Sequence, residues 1–209
     1  MNNTFKLCLL ATALLTNISS YASDKLTTFE QIAPLEHSNI STISPLKGER
    51  LIEMIHNTSV SGIEQLINDG LDINATIIGD GTPLIIAVRN NNKEVVEKLI
   101  QWGADINLPA KNDASPLITA AMNNHLALAE MLFLQGANID TVIDDDETAL
   151  INASRQGHYQ MVKFLVENGA DVNLAVTANT LRGNELRSPL NGAKTTEIRD
   201  YLVLMGAKA

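Results

Sequence analysis

Residues 82–107 read TPLIIAVRNNNKEVVEKLIQWGADIN, and the pattern returns 33 residues later as SPLITAAMNNHLALAEMLFLQGANID (115–140) and again as TALINASRQGHYQMVKFLVENGADVN (148–173). A fixed period of this length marks stacked units, each burying its apolar side against its neighbours. Every copy carries its own punctuation. Thr82, Ser115 and Thr148 stand where a hydroxyl can cap a first helix. Pro83 and Pro116 occupy its first turn, where a missing N–H costs nothing, and Ala149 replaces proline in the third copy. The first helix presents Leu84 and Ala87, Leu117 and Ala120, Leu150 and Ala153, the small alanines permitting close approach. The second helix presents Val95, Val96, Leu99 and Ile100, then Leu128, Ala129, Leu132 and Phe133, then Met161, Val162, Leu165 and Val166. That i, i+1, i+4, i+5 stripe is one buried helical face. Gly103, Gly136 and Gly169, with Gly70 one period earlier, stand where the second helix ends in a left-handed residue.

The opening Thr82-Pro83-Leu84-Ile85-Ile86-Ala87 resembles the T-P-L-H-x-A of the ankyrin repeat, and the resemblance extends over about 47–209. It implies an all-α repeat solenoid of helix-turn-helix units with β-hairpin fingers, about five units including degenerate terminal caps. The expected boundaries are about 47–79, 80–112, 113–145, 146–186 and 187–209. In the first unit Glu49 falls one period before Thr82, and Leu51 and Met54 take the places of Leu84 and Ala87. Losing the Thr-Pro turn suits a terminal unit, which needs a wetter outer face. The fifth unit restarts at Ser188-Pro189-Leu190, 40 residues after Thr148, and ends at Gly206, 37 after Gly169. It therefore has seven extra residues before it and three missing within it, and Ile198, Leu202 and Val203 restore its apolar face. The extra residues, between Leu174 and Arg187, read as a lengthened surface loop, which is thermodynamically mild.

Upstream of the repeats, residues 1–22 have the organisation of a cleavable Sec-type signal peptide. Lys6 supplies the positive n-region, Leu7 to Leu15 the apolar core, and Ser20-Tyr21-Ala22 the small-residue cleavage site. The core is too short for an ordinary membrane-spanning helix. Cleavage after Ala22 is expected, with a periplasmic or secreted product that is free of the membrane. Residues 23–46 read as a linker or strap, with a Thr27 to Glu30 capping box and prolines at 34 and 45 opposing one continuous helix.

Composition narrows the function classes. The formal charge is −9 over 209 residues, and acidic surfaces repel phosphate, so nucleic acid is not an expected partner. The single cysteine, Cys8, lies within the signal segment, so the mature chain has no thiol for a disulfide or a thiolate metal site. No H-E-x-x-H, G-x-S-x-G or phosphate-binding glycine loop occurs. His125 and His158 are one period apart and resemble the family's Gly-His turn, in which the imidazole supports the turn; His37 and His56 lack partners at metal spacing. Asp144-Asp145-Asp146-Glu147 is the densest acidic run. It reads as a solvated tip, as a surface for a basic partner, or as a calcium site, although consecutive carboxylates lack the alternation of a calcium loop. Trp102, at the end of a second helix, either packs against a neighbour or marks a second contact surface. No cofactor, metal or catalytic residue is expected.

Ankyrin-like proteins bind through their fingers and the concave face of their first helices. Carried onto this chain, the resemblance implies finger positions Ile78, Gly79 and Gly81, then Lys111, Asn112 and Ala114, then Asp144, Asp145 and Glu147. On the helices it implies Arg89 and Asn90, Met122 and Asn123, Arg155 and Gln156. Asn and Gln offer adaptable hydrogen bonds, and Arg89 and Arg155 are candidate anchors. The expected function is non-catalytic binding of another protein, with a basic partner surface meeting the finger at 144–147, by a monomeric chain. An inhibitor or immunity protein is the sharper form. An accessory factor for a periplasmic enzyme, an exported factor acting on a host protein, and an enzyme are the alternatives.

Overall fold

The computed structural model describes residues 45–77, 79–109, 114–143, 147–180 and 183–208; the signal segment and most of the linker lie outside them. Helices come in pairs. They are α1 (Pro45–His56) with α2 (Val60–Asn68), α3 (Pro83–Arg89) with α4 (Lys93–Gln101), α5 (Pro116–Met122) with α6 (Leu126–Leu134), and α7 (Ala149–Gln156) with α8 (Tyr159–Glu167). A hairpin follows, β1 (Val176–Thr180) and β2 (Gly183–Arg187), and then α9 (Thr196–Leu204). The first helix takes in Pro45 and Leu46, which the sequence reading had placed in the linker; Pro45 sits at its start, where proline is tolerated.

First helices pack on first helices, α1 on α3, α3 on α5 and α5 on α7, and each also packs on its own partner. Ala87, Ala120 and Ala153 are fully buried, which is what lets these helices approach. Most of the stripe on the second helices is likewise buried: Val95, Val96, Leu99, Leu128, Ala129, Leu132, Met161, Val162, Leu165 and Val166 join one continuous core with Leu51, Ile55, Ile63 and Ile198, while Ile100 and Phe133 of the expected stripe are only half-buried. Full burial of each large aliphatic side chain contributes about 1.5–3 kcal/mol, and only stacked units supply enough of them.

The helix starts and stops are made as the residue types require. Thr82, Ser115 and Thr148 accept hydrogen bonds from Ile85 N, Ile118 N and Ile151 N at 3.3, 3.3 and 3.2 Å. Gly70, Gly103, Gly136, Gly169 and Gly206 hold φ between 87° and 98°. The turn inside each pair also needs a left-handed residue, filled by Thr58, Asn91, Asn124 and Gly157. Only glycine adopts that region freely, with asparagine next.

Two polar braces cross every joint of the stack. At the inner turns, Asn92 Nδ2 donates to Ile55 O (2.9 Å), His125 Nε2 to Arg89 O and His158 Nε2 to Met122 O (both 3.2 Å), and Lys194 Nζ to Gln156 O (3.2 Å). A carbonyl oxygen can only accept, so Nε2 of both histidines carries the hydrogen. At the other end, Asn74 Oδ1 accepts from Asp105 N, Asn107 Oδ1 from Asn138 N, Asp140 Oδ1 from Asp171 N and Asn173 Oδ1 from Lys208 N, at 2.8 to 3.1 Å. The histidines are therefore structural braces between units.

Two departures from the simple repeat sit near the C-terminal end. The lengthened loop is a β-hairpin, with Val176 opposite Arg187 and Thr180 opposite Gly183, so the fold is mostly helical rather than all-α. The fifth unit has no first helix. With three residues missing, Pro189–Gly192 form a turn closed by Gly192 N to Ser188 O at 3.0 Å, and Leu190 plugs the core. Among the described residues no helix is long and apolar enough to cross a membrane.

Candidate protein-binding surface

Gly81, Ala114 and Glu147 lead directly into first helices capped by Thr82, Ser115 and Thr148. That geometry splits the expected contact positions into two groups. Gly79 is exposed, while Gly81, Ala114 and Glu147, the residues immediately before Thr82, Ser115 and Thr148, are buried. Those three positions form the finger base rather than its tip. Gly81 is held there by Ile77, whose N–H donates to Gly81 O at 2.9 Å. Ile78, Lys111, Asn112, Asp144 and Asp145 lie outside the described residues.

Glu147 is the principal correction. It was expected to project a carboxylate toward solvent, yet its side chain is only 2% exposed and sits between two guanidinium groups. Arg155 Nε lies 3.1 Å from Oε2, and Arg187 Nη1 donates to Oε1 at 2.6 Å. Arg187 also stands 3.9 Å from Glu185. A carboxylate can leave water here because two cations replace its hydration. Asn152, buried in α7, completes the cluster. Its Nδ2 donates to Glu147 O (3.3 Å) and Thr148 O (3.2 Å), and its Oδ1 accepts from Arg155 Nη2 at 3.4 Å.

Arg155 and Arg89 were expected as anchors for a partner. Both are already bound within the chain. Arg89 Nη2 donates to Asp80 O at 3.2 Å and Nη1 lies 3.7 Å from the Asp80 carboxylate. Each arginine, in the last turn of a first helix, folds back onto the finger that precedes that helix. What remains open on this face is Asn90, Met122, Asn123 and Gln156, with about 40% of each arginine still exposed. Asn123 Nδ2 is bonded back to Thr119 O.

The hairpin was missed as a structural element. Its signals were the β-branched pair Val176-Thr177 and Gly183, three residues after Thr180, all inside what the sequence presents as a lengthened surface loop. The structure anchors it twice, through Arg187 to Glu147 and through Asn191 Nδ2 donating to Leu186 O at 3.0 Å. It presents Leu186, 64% exposed. Trp102, in contrast, packs on the core as expected of a large ring.

Among the described residues, no three of His, Cys, Asp or Glu converge on a metal-sized site. Residues 107–176 match the family described as ankyrin repeats in three copies, and residues 80–111 match the single ankyrin repeat. No curated protein matches the chain. Helix pairs in a 33-residue register, left-handed glycine stops and these two matches define a class for the repeat region: residues 80–176 are ankyrin repeats.

Proposed function

We propose that this chain binds another protein through its finger edge and first-helix ends between residues 140 and 190, with the β1–β2 hairpin as the projecting element. The observation that supports this reading is the Arg155–Glu147–Arg187 cluster. It fixes a solvent-facing hairpin to the scaffold, and preorganised elements lose less entropy on binding. The acidic run at 144–146 suits a basic partner, and Arg155 and Gln156 would contribute further polar contacts. Exposed charges of this kind act mainly on association rate and weaken with salt.

The test compares two charge reversals. Asp144→Lys with Asp145→Lys should slow association with a partner recovered by pull-down and leave the fold intact. Glu94→Lys with Glu97→Lys, on the exposed face of α4, should matter far less. Glu147 is left out of the finger variant, because a lysine between Arg155 and Arg187 would disturb the fold itself. If the α4 variant loses binding and the finger variant keeps it, the finger reading is wrong.

The N-terminal segment extends the proposal to an exported, monomeric protein that covers a toxin or hydrolase, as an inhibitor or immunity protein would. Intact mass from a periplasmic extract should begin at Ser23 or within a few residues. A full-length cytoplasmic product would end the export part of the proposal. A toxin gene beside this one would support the immunity form; a gene for a periplasmic enzyme would favour an accessory role.

A further inference from the structure

The second helices α2, α4, α6, α8 and α9 are each nine residues long, so they compare position by position. At the sixth position stand Gln65, Lys98, Met131, Phe164 and Tyr201. At the ninth stand Asn68, Gln101, Leu134, Glu167 and Leu204. The outer positions are polar in α2 and α4 and turn largely apolar from α6 onward. Helix α6, LALAEMLFL, has Glu130 as its one charge. A helix apolar on every side belongs in an interior, yet Leu134 is 81% exposed.

The apolar residues form a band. Phe133 meets Phe164 edge-on at 6.0 Å, Tyr159 meets Tyr201 edge-on at 5.7 Å, and Leu204 beyond them is 80% exposed. Tyr159, Tyr201 and Leu204 also line a shallow hollow whose rim carries Glu197 and Asp200. All five aromatic residues between 45 and 208, Trp102 included, lie on second helices or cap one. The rings are half-buried, with Tyr159, Phe164 and Tyr201 resting on the core, while Leu134 and Leu204 stand exposed on the same helices; apolar and aromatic side chains that water still reaches are typical of the centre of an interface.

The border of the band decides what fits it. On these three helices the four carboxylates Glu130, Glu167, Glu197 and Asp200, all exposed, outnumber the two cations, Arg199 and Lys163, and Lys163 lies 3.6 Å from Glu167. A second copy would set this acidic border against itself, and an anionic membrane would be repelled by it. We propose that α6, α8 and α9 form a second docking surface, separate from the finger edge, for an amphipathic helix of another protein whose apolar strip is bordered by lysine or arginine.

The probe is a labelled synthetic helix of about 18 residues, roughly five turns, with a leucine strip bordered by lysines. Its control has the same strip bordered by glutamates. Fluorescence anisotropy with the full mature chain should show binding of the basic helix and none of the acidic one. Leu134→Gln with Leu204→Gln changes no charge and removes two exposed side chains, so circular dichroism should be unchanged while affinity falls about tenfold or more. Glu130→Gln with Asp200→Asn should weaken binding and flatten its salt dependence. Hydrogen exchange with the basic helix bound should slow in 126–134 and 196–204 rather than in 83–90. Equal affinity for the leucine variant would mean charge attraction alone and would overturn the proposal. So would equal binding of the acidic helix, a dimer in light scattering that the leucine variant dissolves, or leucine-dependent binding to phosphatidylglycerol vesicles. The Asp144→Lys, Asp145→Lys variant should bind the basic helix normally, so failure of one surface does not carry over to the other.

Discussion

Glu147 shows how far one position can depart from its pattern. Gly81 and Ala114 hold the same place in the preceding units and bring no side-chain charge there, whereas a buried carboxylate requires a counter-charge. Its two guanidinium neighbours remain 45% and 30% exposed, so water can reclaim them if the carboxylate is lost. Glu147→Gln should therefore cost about 2–3 kcal/mol, below the 3–5 typical when a fully buried pair is broken. Urea unfolding would measure it, and no change would mean the cluster is only decorative. Asp140 is the opposite case. Asn107 and Asn173, one period away on either side, each use Nδ2 to donate to the next left-handed glycine, Gly136 O at 3.2 Å and Gly206 O at 3.3 Å. A carboxylate has no such donor, and Asp140 also accepts from the backbone of Asp171, another acid. Asp140→Asn should stabilise the joint with Gly169 by about 0.5–1.5 kcal/mol, the net worth of one added hydrogen bond. A melting temperature that falls would contradict this.

At the level of elements, the hairpin and the shortened fifth unit belong together. The chain lost the residues for a first helix after Arg187 and replaced that helix with a turn, so the hairpin cannot lean on an ordinary neighbour. It leans instead on α7 through Arg187. An isolated two-stranded hairpin is marginal in water, and its order should depend on that side chain. Arg187→Ala should raise exchange rates across 176–187 while leaving 83–137 unchanged, because Arg155 still neutralises Glu147. Retained protection of the hairpin would show that Asn191 and strand pairing suffice. In α9, Arg199 holds a position that is buried in the other second helices but exposed here. Packing against Tyr159 carries a cost for its neighbour: burial, then the charge of Glu167, raises the phenol of Tyr201 above its ordinary value.

Across the whole stack, stability is a sum over units and joints, so the ends should open before the middle. Residues 84–137 have joints on both sides, fully buried alanines and two complete braces. The first pair carries Thr58, a β-branched residue at φ 53°, in its turn, which is a strained choice. Hydrogen exchange should be slowest in 84–137 and fastest in 45–70 and in the hairpin. Uniform protection from 47 to 208 would mean that the stack opens as one unit.

Periodicity alone determined the repeat register, the helix starts at Thr82, Ser115 and Thr148, the left-handed glycine stops and the buried stripe. Each of these depends on residues within a few positions of one another, and local chemistry repeats faithfully every 33 residues. Tertiary structure decided what lies between units. The exposed-or-buried state of Glu147 depends on Arg187, 40 residues away. The bracing role of His125 and His158 depends on carbonyls 36 residues earlier. The apolar band on α6, α8 and α9 becomes a surface only when three helices, each ordinary on its own, are set side by side. A contact between distant residues leaves no local mark in the chain, so those features were legible only once the helices were stacked.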